Sequence, residues 1–231
     1  MNELHLFAGA GGGILGGMLL GHTTICAVEI EPYCRKVLLQ RQQDGILPRF
    51  PIWDDIRTFD GKPWKGLADA VCGGFPCQDI SSAGKGAGIN GNKSGLWKEM
   101  ARVIGEIQPR FIFIENSPLL RTRGLSVVLK DIAELGYDAK WGIVSASDCG
   151  AEHQRKRMWV FAYSNKAHRQ GGSLSSRIQK KFATIGNIRW GKDKPGVDRM
   201  ANGMAHRVDR LAAIGNGQVP AVVKMAWELL K

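Results

Sequence analysis

The chain has no run approaching the roughly 18 uninterrupted apolar residues that cross a bilayer as a helix, so no membrane partner is expected. Met1 to Leu6 carries Glu3 and no basic leader, which argues against a secretory signal and for a cytoplasmic protein. Paired cysteines are missing too. The five cysteines (Cys26, Cys34, Cys72, Cys77, Cys149) are odd in number and none lies in a Cys-x-x-Cys pair, which disfavours a disulfide framework and a structural zinc site. Reduced thiols and no bound metal are expected. There is no internal repeat. Acidic residues are scarce, 21 against 32 Lys and Arg, and the resulting net charge of +11 points to an anionic partner.

What is present suits one well-buried core with an appendage: 231 residues, 44% of them hydrophobic. Short apolar runs alternate with helical patterns: Glu3 to Phe7 then Ile14 to Leu20, Thr23 to Glu29 then Tyr33 to Gln43, Ala68 to Gly73 then Leu96 to Ile107, and Arg110 to Glu115 then Leu125 to Leu135. Two strand-like runs follow, Ala139 to Ala146 and Arg157 to Tyr163, and Val219 to Leu230 reads as a closing helix with Pro220 in its first turn. This alternation predicts an α/β fold, a doubly wound, mostly parallel sheet with ligands at the carboxyl ends of its strands.

Residues 1–163 form the expected catalytic and cofactor-binding domain, 164–206 a short basic insert, and 207–231 a return to the first domain. Periodicity is lost after Ser164. Between Ser164 and Leu211 there are eleven Lys or Arg against three Asp, interleaved with Phe182, Ile185, Ile188 and Trp190. Charge runs are often solvated tails, but basic and aromatic residues together suit nucleic acid.

Several segments could carry chemistry. Phe7-Ala-Gly-Ala-Gly-Gly-Gly13 lies between a strand and a helix, and Glu29 ends the next strand where it could accept hydrogen bonds from ribose hydroxyls. The spacing is not a strict dinucleotide fingerprint, so these two elements alone admit a nicotinamide, S-adenosylmethionine or no cofactor. Pro76-Cys77-Gln78 places a thiol at a strand end, under the glycine-dotted loop Asp79 to Gly95 with Ser81 and Ser82; a lone cysteine is otherwise a buried apolar filler. Glu115-Asn116 closes the apolar Phe111-Ile-Phe-Ile, whose burial would push a carboxyl pKa upward. Arg155 and Arg157, two residues apart, would share one face of a strand. Gly215-Asn-Gly-Gln-Val-Pro220 ends the set.

In this order the segments resemble the motifs of the C5-cytosine DNA methyltransferase family, over Leu4 to Tyr163 and Met200 to Leu230. The resemblance implies a Rossmann-like, S-adenosylmethionine-dependent enzyme that methylates carbon 5 of a flipped-out cytosine in DNA. It makes Cys77 the nucleophile, Glu115 the proton donor to N3, and Arg155 and Arg157 the contacts to a base oxygen and a phosphate. Phe7, Gly9 and Gly11 would line the methionine end of the cofactor, Glu29 and Ile30 the ribose, and Asp55 (with Asp54 adjacent) and Ile56 the adenine. Pro76, Asn216 and Val219 would complete the pocket, and Asn116 would hold the Glu115 carboxyl. Departures are His153 where the family usually has glutamine, Ser117-Pro118 after Glu-Asn, and a target-recognition region far shorter than usual. That shortness predicts mostly phosphate contacts, Lys180, Lys181 and Arg189 among them, and a short or relaxed recognition site. A monomer is expected, with a restriction endonuclease as a functional partner at most. Two other readings share these residues: an RNA (tRNA) cytosine methyltransferase, and a catalytically silent nucleic-acid-binding relative.

Overall fold

The computed structural model describes residues 1–76, 95–165, 213 and 215–231. Strands β1 (Asn2–Leu6), β2 (Thr23–Val28), β3 (Ile52–Trp53), β4 (Ala70–Gly73), β5 (Phe111–Asn116), β6 (Tyr137–Val144) and β7 (Arg157–Ser164) form one sheet in the order β3-β2-β1-β4-β5-β7-β6. The first five are parallel to one another. β7 is inserted antiparallel between β5 and β6. The helices are α1 (Gly12–Leu19), α2 (Pro32–Gln43), α3 (Leu96–Ile107), α4 (Leu120–Arg123), α5 (Leu125–Glu134) and α6 (Pro220–Leu230). Strand order departs from β1 in both directions, so the sheet has its switch point between the carboxyl ends of β1 and β4, where such sheets bind ligands.

Both faces are covered, which is why β4, Ala-Val-Cys-Gly, is buried throughout and carries no polar alternation. In β5 the alternation serves two cores. Ile112 and Ile114 pack with α3 and α5, while Phe113 joins Trp159, Phe161 and Trp227 beneath α6. α3 buries Trp97, Met100, Val103, Ile104 and Ile107, a helical stripe. It stops where Gln108 takes a left-handed φ of 50° just before Pro109. Trp97 donates Nε1–H to Asp131 Oδ2 at 2.7 Å, fastening α3 to α5.

α1 is rich in glycine, which disfavours a helix by about 1 kcal/mol per residue relative to alanine. Packing explains the composition. A Cβ at Gly16 would run into the Val223 side chain of α6, and one at Gly17 into the Glu3 carboxylate, so only glycine lets the first and last helices approach this closely. Trp227 seals that face edge-on to Phe113 (5.1 Å between ring centroids), Phe161 (5.0 Å) and His22 (5.1 Å).

The expected doubly wound sheet is therefore found, with element boundaries within a few residues. Cys26, Cys34, Cys72 and Cys149 are buried and form no disulfide among the described residues. No helix among the described residues is long and apolar enough to cross a membrane. Cys77, Ser81, Ser82 and almost all of 164–206, including Lys180, Lys181 and Arg189, lie outside the described residues.

Candidate active site at the carboxyl ends of the central strands

The turn after β1 is forced by backbone geometry. Phe7, Gly9 and Gly11 all have positive φ (54°, 55° and 90°), a region that glycine enters freely and phenylalanine does not. A Cβ at Gly11 would press on Leu38 Cδ2 at 2.8 Å; at Gly9 it would meet no atom of the described residues within 4 Å, so that side of the turn is open among them. From α2, Arg41 Nη1 donates to the Ala10 carbonyl at 2.6 Å and braces the turn from behind.

Glu29, just past β2, is nearly buried. Its Oε2 accepts the Gly9 N–H at 2.6 Å and its Oε1 the Glu31 N–H at 2.8 Å. Each carboxylate oxygen thus keeps a lone pair for a further donor. Burial pushes the Glu29 pKa up, and the two N–H bonds only partly offset it. Arg35 donates to the Glu29 and Ile30 carbonyls and fixes this strand end. Ile30 is 52% exposed and Trp53, at the end of β3, is 47% exposed. Two large apolar side chains thus stand at neighbouring strand ends. Asp55 lies on the turn after β3 and is held by Arg57 in a bidentate pair, which lowers its pKa. Ile56 belongs to the core, and its carbonyl is taken by Arg102 at 2.7 Å, so its side chain is not available to a ligand at the surface.

A second cluster gathers at the ends of β4 and β5. Glu115 is 9% exposed, and its Oε1 accepts Arg157 Nε–H at 2.7 Å. Burial raises its pKa, while Arg157, Arg155 and a hydrogen bond from Gln218 pull the other way. Asn116 does not hold the Glu115 carboxyl as expected. Its side chain faces the other way along the chain: Nδ2 donates to the Phe75 carbonyl at 3.1 Å and Oδ1 accepts the Ser117 N–H at 2.8 Å. It therefore fixes the exit of β4, where half-buried Pro76 immediately precedes Cys77.

Arg155 also departs from expectation. β7 begins at Arg157, and Arg155 sits in the turn before it with φ 32°, so the two do not share a strand face. Arg155 instead donates Nη2–H to the carbonyls of Gly215 (2.8 Å) and Gly217, clasping the returning chain to the site. In that returning segment Asn216 is exposed, and Val219 caps α6 from an extended conformation. The structure thus brings Phe7, Gly9, Gly11, Glu29 and Ile30 together on one side of the switch point, and Pro76, Glu115, Arg155 and Arg157 on the other. Sequence reasoning missed Trp53, Gly74 and Gln218. The doubled glycine before Phe75-Pro76 and the glutamine inside Gly-Asn-Gly-Gln-Val-Pro were the available signals.

Residues 1–212 match the family model for C-5 cytosine-specific DNA methylases. The type II methyltransferase M.CviJI of Paramecium bursaria Chlorella virus IL3A is 35% identical over 160 residues, 69% of this chain and 42% of the relative. Type II methyltransferase M2.BsuMI of Bacillus subtilis is 35% identical over 170 residues, 70% of this chain and 42% of its own length. This chain therefore spans less than half the length of these relatives. Among solved structures, DNMT2 of Spodoptera frugiperda superposes with a TM-score of 0.60 at 17% identity, over 78% of this chain and 56% of that one, a likeness of fold. By the match of most of its sequence to the family model, the chain belongs to the C-5 cytosine-specific DNA methylase family.

Proposed function

We propose that this protein transfers a methyl group from S-adenosylmethionine to carbon 5 of cytosine in DNA, through a covalent adduct on Cys77. The observation that carries the reading is the buried Glu115, paired with Arg157, beside a β4 exit that Asn116 fixes at Phe75, two residues before Cys77. Carbon 5 of cytosine is a poor nucleophile until a group adds at carbon 6 and turns the ring into an enamine. A thiol with pKa about 8.5 is a few per cent thiolate at neutral pH, so ionising it costs only about 2 kcal/mol. The harder problem is charge accumulating on the ring. A protonated Glu115 relieves it by donating to N3, and burial moves that carboxyl toward the protonated form. Arg157 works against protonation while fixing the carboxyl in place, so geometry is gained at some expense of the protonated population. Thiolate attack requires approach to the ring face, so the base must leave the duplex.

The turn after β1 suits the methyl donor. Its open side at Gly9, the spare lone pairs of Glu29, and exposed Ile30 and Trp53 fit the methionine end, the ribose hydroxyls and a planar adenine respectively. When bound, the donor supplies an electrophilic methyl group on a sulfonium. Phe7, Gly11 and Val219 complete that pocket, with Asp55 and Asn216 at its rim. After transfer, loss of the C5 proton and expulsion of the Cys77 thiolate restore the aromatic ring. The basic stretch 164–206 supplies phosphate contacts to duplex DNA, and 1–163 with 207–231 forms the catalytic unit.

The test is incubation with labelled S-adenosylmethionine and duplex DNA containing 5-fluorocytosine. A denaturation-resistant protein–DNA adduct that disappears in Cys77→Ala is expected. Methyl incorporation into tRNA but not DNA, or no adduct at all, would overturn the proposal.

A further inference from the structure

We propose that Gln218 is a positioning residue for Glu115, a neutral second hand on the carboxyl that reaches it through a slot of glycines. This rests on the reading of Glu115 as the proton donor to the base. Gln218 enters the site from the returning chain, between Gly217, clasped by Arg155, and Val219, the cap of α6. Its path is lined by backbone without side chains. A Cβ at Gly12 would overlap the Gln218 carbonyl, and one at Gly13 would stand 2.5 Å from its Oε1. On the far side, a Cβ at Gly74 would stand 3.4 Å from Gln218 Nε2 and 2.7 Å from Glu115 Oε2. Three glycines from two separate segments thus leave just the room that one carboxamide and one carboxylate occupy.

The chemistry of the pair is directional. A carboxylate only accepts, so the Gln218 amide must present its NH2 to Glu115 and its oxygen to the Gly13 side. Glu115 then has Arg157 on Oε1 and Gln218 beside Oε2. The two holders differ. Arginine has no acceptor and its charge opposes protonation, whereas a carboxamide carries no charge and has both a donor and an acceptor. Gln218 can therefore keep the carboxyl oriented in either protonation state. The slot also explains Gly12, Gly13 and Gly74, whose φ angles are not positive and for which no turn requires glycine. The charged groups facing Glu115 are Arg157 and Arg155, both on or just before β7; Gln218 is the neutral contact from the α6 side.

The experiment compares Gln218→Met, Glu115→Gln and the double variant in the full chain, with kcat, KM for DNA, S-adenosylmethionine affinity and the pH profile for each. In Gln218→Met, kcat should fall on the order of 10- to 100-fold, as expected when a reacting group is displaced by about 1 Å. KM and cofactor affinity should stay within about 2-fold. Removing a donor to the ionised form raises the Glu115 pKa, so the alkaline limb of the kcat profile should move to higher pH. A 13C-labelled Glu115 titration should show the same displacement without reference to activity. In the Glu115→Gln background, Gln218→Met should add nothing. Equal losses in both backgrounds, or an unmoved limb and titration, would overturn the proposal. If Gln218→Met does not fold, the isosteric Gln218→Glu serves: a second carboxyl beside Glu115 should move limb and titration upward, and no movement refutes it. Full activity in Glu115→Gln would instead sink the proton-donor reading itself, while an inactive Glu115→Gln beside an unaltered Gln218→Met sinks only the role of Gln218.

Discussion

Glu3, at the amino end of the sheet, and Glu29 and Glu115, at its carboxyl end, are all buried glutamates, yet their titrations are displaced in opposite directions. Burial pushes Glu3 upward, but hydrogen bonds to His22 Nδ1 (2.7 Å) and His5 Nε2 (3.0 Å) outweigh it and hold the pKa at about 2. For Glu29 and Glu115 burial wins, against backbone N–H donors in one case and Arg157, Arg155 and Gln218 in the other. The same side chain at similar depth is thus a completed fastening at one rim and an unmet demand at the other. Sites left in that state are where ligands and reacting groups bind.

The sharpest way to break this contrast is Glu115→Gln. If the carboxyl-end glutamate donates a proton, kcat should fall by about 10²- to 10⁴-fold with cofactor affinity, measured by calorimetry, nearly unchanged. Next is the aromatic roof over His22. Trp227→Ala should destabilise the protein by about 3–5 kcal/mol in urea titrations, with the fold lost before any specific effect on the site. Glu3 should show itself through pH. Its folded pKa lies below the unfolded value of 4.5, so it stabilises the fold above about pH 4.5, and that contribution, about 3 kcal/mol, is lost as pH falls toward about 2. Urea midpoints of Glu3→Gln should be flatter across that window than those of the unaltered chain. Glu29 and Glu115 have the opposite sign: stability declines as pH rises from the unfolded value through their raised folded ones. The smallest effect is Glu29→Gln, which should weaken S-adenosylmethionine binding about 10-fold, near 1.4 kcal/mol, because an amide cannot accept on both arms. Its stability at neutral pH should shift by less than about 1 kcal/mol.

Strand and helix order were legible because hydrophobic period and turn residues are local signals, and the sheet follows from them. The reversal of β7 was not, since a buried antiparallel strand such as Met-Trp-Val-Phe-Ala has the same apolar run as a parallel one. The glycine turn and Glu29 could be read from spacing because backbone geometry demands those residues in sequence. The Glu115 end resisted because its parts come from four distant segments: the β4 exit, β5, the turn before β7 and the return at Gly217-Gln218. Arg155 and Asn116 were assigned to ligand and carboxyl, but they secure main chain, which residue type alone does not distinguish. Gly16 and Gly17 of α1 carried no sequence signal of their own, because what requires them, Val223 and Glu3, lies far away in the chain.

Because β7 runs against its neighbours, its first residue stands beside the Glu115 carboxyl and its last, Ser164, is bonded to Arg110 at the opposite rim. Eight residues of strand separate the rims by roughly 26 Å. The polypeptide leaving Ser164 must recross that distance to arrive at Gly215, where Arg155 receives it. An extended tether of about eight residues would suffice. Nearly all of the intervening length is therefore surplus to connection, and its size can vary without displacing either anchor.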